Sequence, residues 1–272
     1  MAYKMICSDL DGTLLGLKNR ATPFCCQVFK KYASEIDMVL VSARMPSGMR
    51  YIQKELGISN QPMVCYNGAL VMDGEKVLSS TYIELMLVKQ LLEICIKNSV
   101  AIGLYAYDEW RAAINSERIT KEEFNTQTKV VFEPTLKTIE RWAKKGHGAH
   151  KLMLMGSKES LDVVFKILER QMSGLIGIYR SNDSLIEISP ASIDKLGGIE
   201  KLLRPGIGLE HIIAFGDNFN DISMLSAVGL GIAVENARPA VKAVAKELVA
   251  KYTEDGVAHF LEAYFTQLKN SK

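Results

Sequence analysis

Short apolar runs, each followed by a segment with helical spacing, recur through the first third of the chain. The runs cover residues 4–7, 37–41 and 63–65, and turns that contain polar residues or glycine follow them. Thr22 and Pro23 suit the start of a helix, because threonine caps the first turn and proline fits the first helical position. This alternation predicts a parallel sheet with crossover helices.

The pattern changes beyond residue 66. Residues 69–72 and 76–78 flank an Asp-Gly-Glu turn, which predicts a β-hairpin. Farther along, the spacing predicts two helices and six strands of an α+β unit with an antiparallel sheet. The helices cover residues 83–97 and 158–171, and the strands cover residues 101–107, 111–115, 129–133, 151–155, 176–180 and 185–188.

The parallel pattern returns after Pro190, with predicted strands at residues 212–215 and 231–234 and helices beside them. One core interrupted by an insert explains this order most simply. The sequence therefore predicts an α/β fold with a doubly wound, Rossmann-like parallel sheet. Residues 1–81 and 190–272 would form this core, and residues 82–189 would form an inserted α+β domain.

Composition and charge narrow the classes of function. The chain has 272 residues, with 33 Lys and Arg against 31 Asp and Glu, so its formal net charge is +2. These charges are scattered, whereas binding to a phosphate backbone needs clustered cations, so no nucleic-acid partner is expected. The five cysteines are odd in number and contain no C-x-x-C pair, which favours a reducing compartment.

The sequence also carries no sign of export or of membrane insertion. Its first residues lack the features of a secretory signal. The most apolar long window, residues 85–96, is interrupted by polar residues and falls short of the roughly 20 residues that span a bilayer. We therefore expect a cytoplasmic protein without a membrane partner, and no obligate protein partner is evident.

Two aspartates, Asp9 and Asp11, stand one residue apart directly after the first predicted strand. Ligands of open α/β sheets bind beyond the carboxyl ends of the strands, so both carboxylates are expected at the binding crevice. Gly12 follows and allows a sharp turn. A bare D-x-D sequence would more often be a solvated turn, but the strand before it and the Gly-Thr after it favour a functional site.

Three further segments carry candidate groups, and each has an ordinary interpretation when it is taken alone. Ser42 ends the second predicted strand and could be a helix cap. Lys195 could be a solvated surface charge. Asp217 and Asp221 follow the predicted strand 212–215, and two more carboxylates at a strand end would suit a hard cation that prefers oxygen ligands.

In this order the four segments resemble the motifs of the haloacid dehalogenase superfamily. The sequence DLDGTL from Asp9 is similar to the first motif, D-x-D-x-T, and GDNFND from residue 216 is similar to the fourth, G-D-x-x-N-D. Ser42 and Lys195 are similar to the second and third motifs. The position of the insert and the Asn67-Gly-Ala segment resemble the Cof-like branch, subfamily IIB, with a cap of the C2B type. The Ser-Ala-Arg sequence at 42–44 departs from the commoner Thr-Gly-Arg but keeps the hydroxyl.

The resemblance implies roles for these residues. Asp9 would be the nucleophile that forms an aspartyl phosphate, and Asp11 would be the general acid and base. Mg²⁺ would bind the carboxylates of Asp9 and Asp217 and the main-chain carbonyl of Asp11. The other expected site residues are Ser42 and Lys195 as catalytic and phosphate-binding groups, Leu10, Ala43, Arg44 and Asn220 as substrate or phosphate contacts, and Asp221 and Asn67 as supporting residues.

The resemblance further implies a magnesium-dependent phosphatase that acts on a small phosphorylated metabolite, with sugar phosphates as the leading substrate class. Two alternatives stay open. A phosphotransferase or sugar phosphomutase would use the same nucleophile but pass the phosphoryl group to a second hydroxyl. A noncatalytic protein would only bind phosphorylated metabolites. No motif in the sequence identifies the substrate, because residues of the cap select it in this family.

Overall fold

The computed structural model describes residues 3–270, which divide into two compact units. The core unit comprises the residues up to Ser79 and those from Asp194 onwards, and the insert comprises Ser80–Ile193. The insert expected from the sequence begins at residue 82 rather than 80 and ends at 189 rather than 193. That either segment folds as an independent domain stays a prediction.

The described residues form fourteen strands and ten α-helices, joined in places by short 3₁₀ turns. The strands are β1 Met5–Ser8, β2 Asp37–Val41, β3 Met63–Cys65, β4 Leu70–Asp73, β5 Lys76–Ser80, β6 Ala101–Ala106, β7 Glu109–Ala112, β8 Val131–Phe132, β9 Lys151–Met155, β10 Ile176–Asn182, β11 Leu185–Pro190, β12 Ile212–Gly216, β13 Leu230–Val234 and β14 Glu247–Val249. The helices are α1 Pro23–Tyr32, α2 Ser47–Leu56, α3 Leu85–Lys97, α4 Glu117–Thr126, α5 Thr135–Lys145, α6 Lys158–Gln171, α7 Lys195–Glu200, α8 Ile222–Ala227, α9 Pro239–Lys242 and α10 Gly256–Asn270.

The core unit contains an eight-stranded sheet with the strand order β14-β13-β12-β1-β2-β3-β4-β5. The strands from β14 to β3 pair in parallel, and β4 pairs antiparallel with β3. The chain first builds outward from β1 through β2 and β3, and later on the other side of β1 through β12 and β13. The strand order therefore reverses between β1 and β12. Ligands of open α/β sheets bind at such a reversal, outside the carboxyl ends of the strands.

Local sequence signals set the ends of the helices beside this sheet. The Cys25 N–H donates a hydrogen bond to Thr22 Oγ1 at 3.0 Å, and Pro23 is the first residue of α1. Gly57, with φ 72°, ends α2 in the left-handed conformation that glycine adopts without strain. Both helices therefore begin or end where the capping residues predict.

The insert contains a six-stranded sheet with the order β10-β11-β9-β6-β7-β8, in which only β7 and β8 pair in parallel. Alternate residues of its central strands, such as Leu104, Leu154 and Ile188, are buried in one apolar core with Leu91 of α3 and Leu161 of α6. Burying such a side chain contributes roughly 1.5–3 kcal/mol. The period of two along the strands therefore fixes which face the helices cover.

Two helices of the insert, α4 and α5, have no counterpart among the predicted elements. Helix α4 buries only Ile119 and Thr126, so its apolar period is weak, and its clearest signal is the cap in which Ser116 Oγ accepts the Ile119 N–H. Helix α5 buries Ile139 and Trp142 but follows Pro134 directly. Strand β14 was also not predicted, because its residues lie at the sheet edge and are largely exposed.

The predicted fold class is confirmed: a doubly wound α/β core carries an inserted α+β unit with a largely antiparallel sheet. The insert lies between the second and third candidate motifs, as the sequence indicated. Among the helices of residues 3–270, none combines the length and the apolar composition that a membrane span requires.

Candidate active site

Three neighbouring strands of the core sheet end at the same edge, and each leads into a candidate segment. Ser8, the last residue of β1, is in register with Leu40 of β2 and with Phe215 of β12. Asp9 continues the pairing, because its N–H donates a hydrogen bond to the Phe215 carbonyl at 3.0 Å. The loops that carry the first, second and fourth motifs therefore meet at the reversal of strand order.

Lys195 brings the third motif to this edge. It is the first residue of α7, its side chain is fully buried, and its Nζ donates hydrogen bonds to Asp9 Oδ1 and Asp221 Oδ1, both at 2.6 Å. The helix start is capped by Asp194, whose Oδ1 accepts the Gly197 N–H at 2.8 Å. One ammonium thus joins carboxylates from two distant motifs.

Close backbone packing places Lys195. Gly68 has φ 102°, and a Cβ at this position would overlap the main-chain oxygen of Asp194. The two residues before it, Tyr66 and Asn67, also have positive φ values of 52° and 55°. Non-glycine residues adopt this conformation at a cost and are often found at functional sites. The strained turn after β3 therefore lets α7 approach the sheet closely enough to bury its lysine.

Asp221 has a structural contact on each carboxylate oxygen. Its Oδ1 accepts from Lys195, and its Oδ2 accepts the N–H groups of Asp217 and Asn218 at 2.9 and 3.0 Å. Its side chain is fully buried. Asp221 therefore fixes both the loop after β12 and the lysine.

Asp217 connects the fourth motif, to which it belongs, with the first motif. Thr13 Oγ1 donates a hydrogen bond to Asp217 Oδ1 at 3.2 Å, and a Cβ at Gly12 would lie 2.6 Å from Asp217 Oδ2. Gly12 has φ 88°, so glycine serves here for both conformation and space. Asn236 Nδ2 ties down the same turn by donating to the Gly12 carbonyl at 2.8 Å.

The core cluster, formed by Asp9, Lys195, Asp217 and Asp221, is largely buried and has three carboxylates but only one ammonium. Burial raises the pKa of Asp9 to about 8, and the negative charges of Asp221 and Asp217 add to the rise despite the opposing effect of Lys195. Burial and Asp221 together raise the pKa of Asp217 to about 6. Burial alone would lower the pKa of Lys195, but the two carboxylates beside it raise that pKa above its ordinary value. The site would therefore gain from a further positive charge.

The donor set fits a divalent cation. Oxygen atoms of Asp9, Asp217 and Asp221 lie within 4.8 Å of one another. Within residues 3–270, hydrogen bonds from other side chains reach only Oδ1 of Asp9 and Oδ1 of Asp217, whereas both oxygens of Asp221 accept hydrogen bonds. Carboxylate oxygens are the ligands that hard cations prefer. Asp9 and Asp217 are thus the better ligand candidates, and Asp221 orients the groups around them.

Asp11 does not belong to this acidic cluster. Its side chain is about half exposed, and both of its oxygens accept hydrogen bonds from the buried Arg44 guanidinium. Arg44 Nε lies 2.8 Å from Asp11 Oδ2, and Arg44 Nη2 lies 2.5 Å from Asp11 Oδ1. The arginine expected to contact phosphate is therefore bound to the expected general acid.

The other candidates surround these groups. Ser42 Oγ is buried and accepts the Arg44 N–H at 3.2 Å, while Ala43 is partly exposed. The side chain of Leu10 is completely buried, so only its main chain could contact a phosphate. Asn220 Nδ2 donates to Asn67 Oδ1 at 3.1 Å. The structure thus brings all the candidates to one edge of the core sheet, although Asp11 and Arg44 pair with each other.

Three residues that hold the site in place were not among the candidates. Thr13, which supports Asp217, is the threonine of the D-x-D-x-T pattern and could have been included on that ground. Asn236, which supports Gly12, and Tyr51, which accepts a hydrogen bond from Arg44 at 2.9 Å, stand in no motif. Only the folded chain shows their contacts.

Comparison with known proteins gives consistent matches along the chain. Residues 6–261 match the haloacid dehalogenase-like hydrolases. A protein of Haemophilus influenzae named "Putative phosphatase" is 30% identical over 278 residues, which cover 98% of this chain and 100% of the relative. The 5-amino-6-(5-phospho-D-ribitylamino)uracil phosphatase YitU of Bacillus subtilis is 30% identical, with 96% of this chain and 97% of the relative covered.

Comparison with solved structures points to the same family. A haloacid dehalogenase-like hydrolase from Bacteroides thetaiotaomicron has a TM-score of 0.89 at 27% identity, with 96% of this chain and 99% of that chain covered. The resemblance to the Cof-like branch that the four motifs and the insert suggested is confirmed. The chain therefore belongs to the haloacid dehalogenase-like hydrolase family, and it is a phosphatase.

Proposed function

We propose that this protein is a magnesium-dependent phosphatase that hydrolyses monoesters of small phosphorylated metabolites through an aspartyl phosphate on Asp9. One observation carries the proposal: the buried Lys195 ammonium joins Asp9 to Asp221 beside Asp217, at the carboxyl ends of β1 and β12. A phosphate dianion repels an anionic nucleophile, so a site for its capture needs fixed positive charge next to that nucleophile.

Asp9 is the proposed nucleophile because of how its oxygens are used. Lys195 binds Oδ1, and within residues 3–270 no side chain donates a hydrogen bond to Oδ2. Oδ2 would attack phosphorus as the ester P–O bond breaks and its electron pair leaves with the ester oxygen. A covalent intermediate of this kind divides one difficult displacement into two easier ones.

Asp11 is the proposed general acid and base. It would give a proton to the departing ester oxygen in the first step. In the second step its carboxylate would take a proton from water, whose oxygen attacks the phosphoryl group and releases inorganic phosphate and Asp9. The same group serves both steps because the second displacement is the reverse of the first in its proton requirement. Ser42 and Lys195 would hold the non-bridging oxygens of the phosphoryl group.

The expected metal ligands are the carboxylates of Asp9 and Asp217 and the main-chain carbonyl of Asp11. Members of the family generally use a divalent metal, and Mg²⁺ suits carboxylate and carbonyl oxygens. When bound, the ion would neutralise part of the negative charge of the carboxylates and of the phosphoryl group. The raised pKa values of Asp9 and Asp217 are consistent with a site that gains from such a charge.

The proposed substrate class is small phosphorylated metabolites, with sugar phosphates first. YitU of Bacillus subtilis is named for a phosphoribityl compound, in which the phosphate is carried by a sugar-derived chain. A pyridoxal phosphate phosphatase of Escherichia coli, 26% identical to this chain, is named for a cofactor phosphate. Relatives of similar identity thus differ in substrate, so a panel containing both kinds of ester is the appropriate screen.

The Asp9→Asn variant tests the proposal. Release of phosphate should fall by about 10³-fold or more, because an amide keeps the shape of the side chain but not its nucleophilicity. Asp73→Asn, which changes an exposed aspartate of the same unit, is the matched control and should keep full activity. Unchanged turnover of Asp9→Asn, with its circular dichroism also unchanged, would contradict the proposal.

Product analysis separates hydrolysis from phosphoryl transfer. With a sugar phosphate as substrate, hydrolysis gives free sugar and inorganic phosphate in equal amounts. Formation of an isomeric or bisphosphorylated sugar instead would favour the phosphotransferase or phosphomutase alternative.

A further inference from the structure

We infer that Arg44 is a positioning residue for the proposed general acid and base, holding the Asp11 carboxylate by a two-point ion pair and not binding the phosphoryl group. This inference rests on the proposed function, because it assigns Arg44 a part in the same reaction. It differs from the phosphate contact expected for Arg44 from the sequence.

The geometry of the pair carries the inference. Arg44 Nε lies 2.8 Å from one Asp11 oxygen, and Arg44 Nη2 lies 2.5 Å from the other. A planar guanidinium that meets both oxygens of a carboxylate fixes the plane and direction of that carboxylate as well as its distance. A single contact from lysine would leave the carboxylate free to rotate.

A second set of contacts holds the guanidinium itself. Arg44 Nη1 donates to the Gly48 carbonyl at 3.2 Å and to the Tyr51 hydroxyl at 2.9 Å. The Tyr51 hydroxyl in turn donates to the Asn19 carbonyl at 3.0 Å. These contacts come from the first turns of α2 and from the loop after the first motif. Arg44 is therefore oriented by the fold independently of Asp11.

The number of N–H donors that Arg44 already uses argues against a role for it in phosphate binding. A guanidinium has five N–H groups, and the four hydrogen bonds of Arg44 to Asp11, Gly48 and Tyr51 occupy four of them. Only 4% of the Arg44 side chain is exposed, against 51% of the Asp11 side chain. A substrate can therefore reach Asp11 much more easily than it can reach Arg44.

The Asp11 side chain needs the Arg44 contact to fix its orientation, because its surroundings would otherwise let it rotate. It follows the strand end and precedes Gly12, whose φ of 88° turns the chain sharply. A half-exposed aspartate at such a turn would occupy several side-chain rotamers. Proton transfer requires it within hydrogen-bond reach of the ester oxygen, so a fixed orientation raises the fraction of productive encounters. Each carboxylate oxygen that accepts one hydrogen bond keeps a second lone pair for this transfer.

A double-mutant cycle tests the inference. Arg44→Gln and Asp11→Asn are made singly and together, and kcat and KM are measured with an alkyl phosphate, whose leaving oxygen needs a proton. Arg44→Gln should lower kcat by about 10- to 100-fold with little change in KM, within the range of general acid and base catalysis. In the Asp11→Asn background the same change should have less than about a twofold effect, because Arg44 then has no proton donor to orient.

The leaving group gives an independent readout. p-Nitrophenyl phosphate releases a stable phenolate that needs little protonation, so Arg44→Gln should reduce its turnover less than that of the alkyl ester. If Arg44→Gln only disturbed the structure, the turnover of both substrates would fall equally. Tyr51→Phe should show the same selectivity with a smaller loss, and it serves if Arg44→Gln does not fold. Arg50→Gln is the matched control, because Arg50 lies on α2 beside Tyr51 but pairs with the exposed Glu75.

Several results would overturn the inference. They are full additivity in the cycle, equal losses for both esters, a rise in KM or in the inhibition constant of inorganic phosphate in Arg44→Gln, or a higher kcat than the unchanged enzyme. If Asp9→Asn abolishes activity while the cycle is additive, the proposed function stands and only the role of Arg44 is wrong. If Asp9→Asn keeps full activity, the proposed function itself falls.

Discussion

Two charged clusters, one in each unit of the molecule, are built in opposite ways. In the core unit a single ammonium, Lys195, lies among three carboxylates and is fully buried. In the insert a single carboxylate, that of Glu109, is surrounded by cations. Its partners are Arg111 Nη2 at 3.4 Å, Arg141 Nη2 at 3.1 Å, Lys145 Nζ at 2.5 Å and the Trp142 indole N–H at 3.1 Å.

The consequences for protonation are also opposite. In the core unit, burial and repulsion raise the pKa of Asp9 to about 8. In the insert, burial alone would raise the pKa of Glu109, but hydrogen bonds from Lys145 and Trp142 outweigh it and lower that pKa to about 2. The Glu109 carboxylate accepts hydrogen bonds on both of its oxygens, from Lys145 on Oε1 and from Arg141 and Trp142 on Oε2, whereas the core cluster has an excess of negative charge. Similar residue types therefore form a structural brace in the insert and, as we propose, a binding site in the core unit.

The largest effect on activity and stability is expected from removing the cation of the core cluster. Lys195→Met should lower activity by about 10³-fold, because no ammonium then offsets the phosphoryl charge. It should also destabilise the protein by roughly 3–5 kcal/mol, the usual cost of removing one partner of a buried ion pair. Steady-state kinetics and urea unfolding followed by circular dichroism measure the two effects.

Lys201→Met is the control for this change. Lys201 is exposed at the end of the same helix, α7, so activity and stability should stay within the error of the unchanged protein. A Lys195→Met variant that kept most of its activity would show that the buried ammonium is not needed for the chemistry.

Adding Mg²⁺ should stabilise the core cluster, which has an excess of negative charge, and should leave the Glu109 cluster unchanged. At a concentration ten times its dissociation constant, the ion should stabilise the protein by about 1.4 kcal/mol, which scanning calorimetry measures as a higher Tm. Asp217→Asn should raise the Tm without metal, because repulsion with Asp221 is relieved, and should weaken Mg²⁺ binding by about tenfold or more.

Asp73→Asn is again the control and should respond to Mg²⁺ as the unchanged protein does, since this aspartate is exposed and outside the cluster. An equal Tm rise in Asp217→Asn and in the unchanged protein would place the ion elsewhere.

The smallest effect is expected from the insert. Glu109→Gln should cost about 1 kcal/mol at pH 7, because the glutamate is partly screened by solvent and its partners keep water contacts. The folded pKa is about 2 against an ordinary value of 4.5, so this contribution is present above pH 4.5 and is lost as the pH falls toward 2. Both tryptophans, Trp110 and Trp142, lie in the insert, so tryptophan fluorescence during urea unfolding reports on this unit.

Activity should be unchanged in Glu109→Gln. A loss of activity comparable to that of Lys195→Met would show that the Glu109 cluster is more than a brace. A cost that did not shrink on acidification would mean that the glutamate is not held in its charged form by these partners.

The parts of the fold that the sequence predicted share a strong local signal. Strands β2, β3 and β9 were predicted with their observed bounds, because each is a continuous apolar run between polar turns. Helix α6 was also predicted with its observed bounds, and in the structure Ser157 Oγ caps it by accepting the Ser160 N–H. Helix α4 was missed because it buries only two residues, so its apolar pattern is weak in the sequence. Helix α5 was missed although it buries four residues at helical spacing, Thr135, Thr138, Ile139 and Trp142, a signal that the sequence prediction did not use.

The candidate residues were identified by their resemblance to family motifs, and the meeting of three of these motifs was predictable for a geometric reason. Parallel strands end at one edge of a sheet, so motifs that follow β1, β2 and β12 must come together there. Which atoms meet was not predictable. Arg44 was expected at the phosphate and is bound to Asp11, and Asn236 holds Gly12 from 224 residues away with no motif to mark it.

The sequence alone was enough to predict the alternation of strands and helices in the core and the place of the insert, because these features depend on local periodicity. The acidic and basic groups expected at the site followed from the resemblance of four segments to the motifs of a known family. That Lys195 is shared by Asp9 and Asp221, and that Arg44 pairs with both oxygens of Asp11, became visible only in the folded structure. Such pairings depend on burial and on distances between side chains far apart in the chain, and those quantities exist only once the backbone has folded.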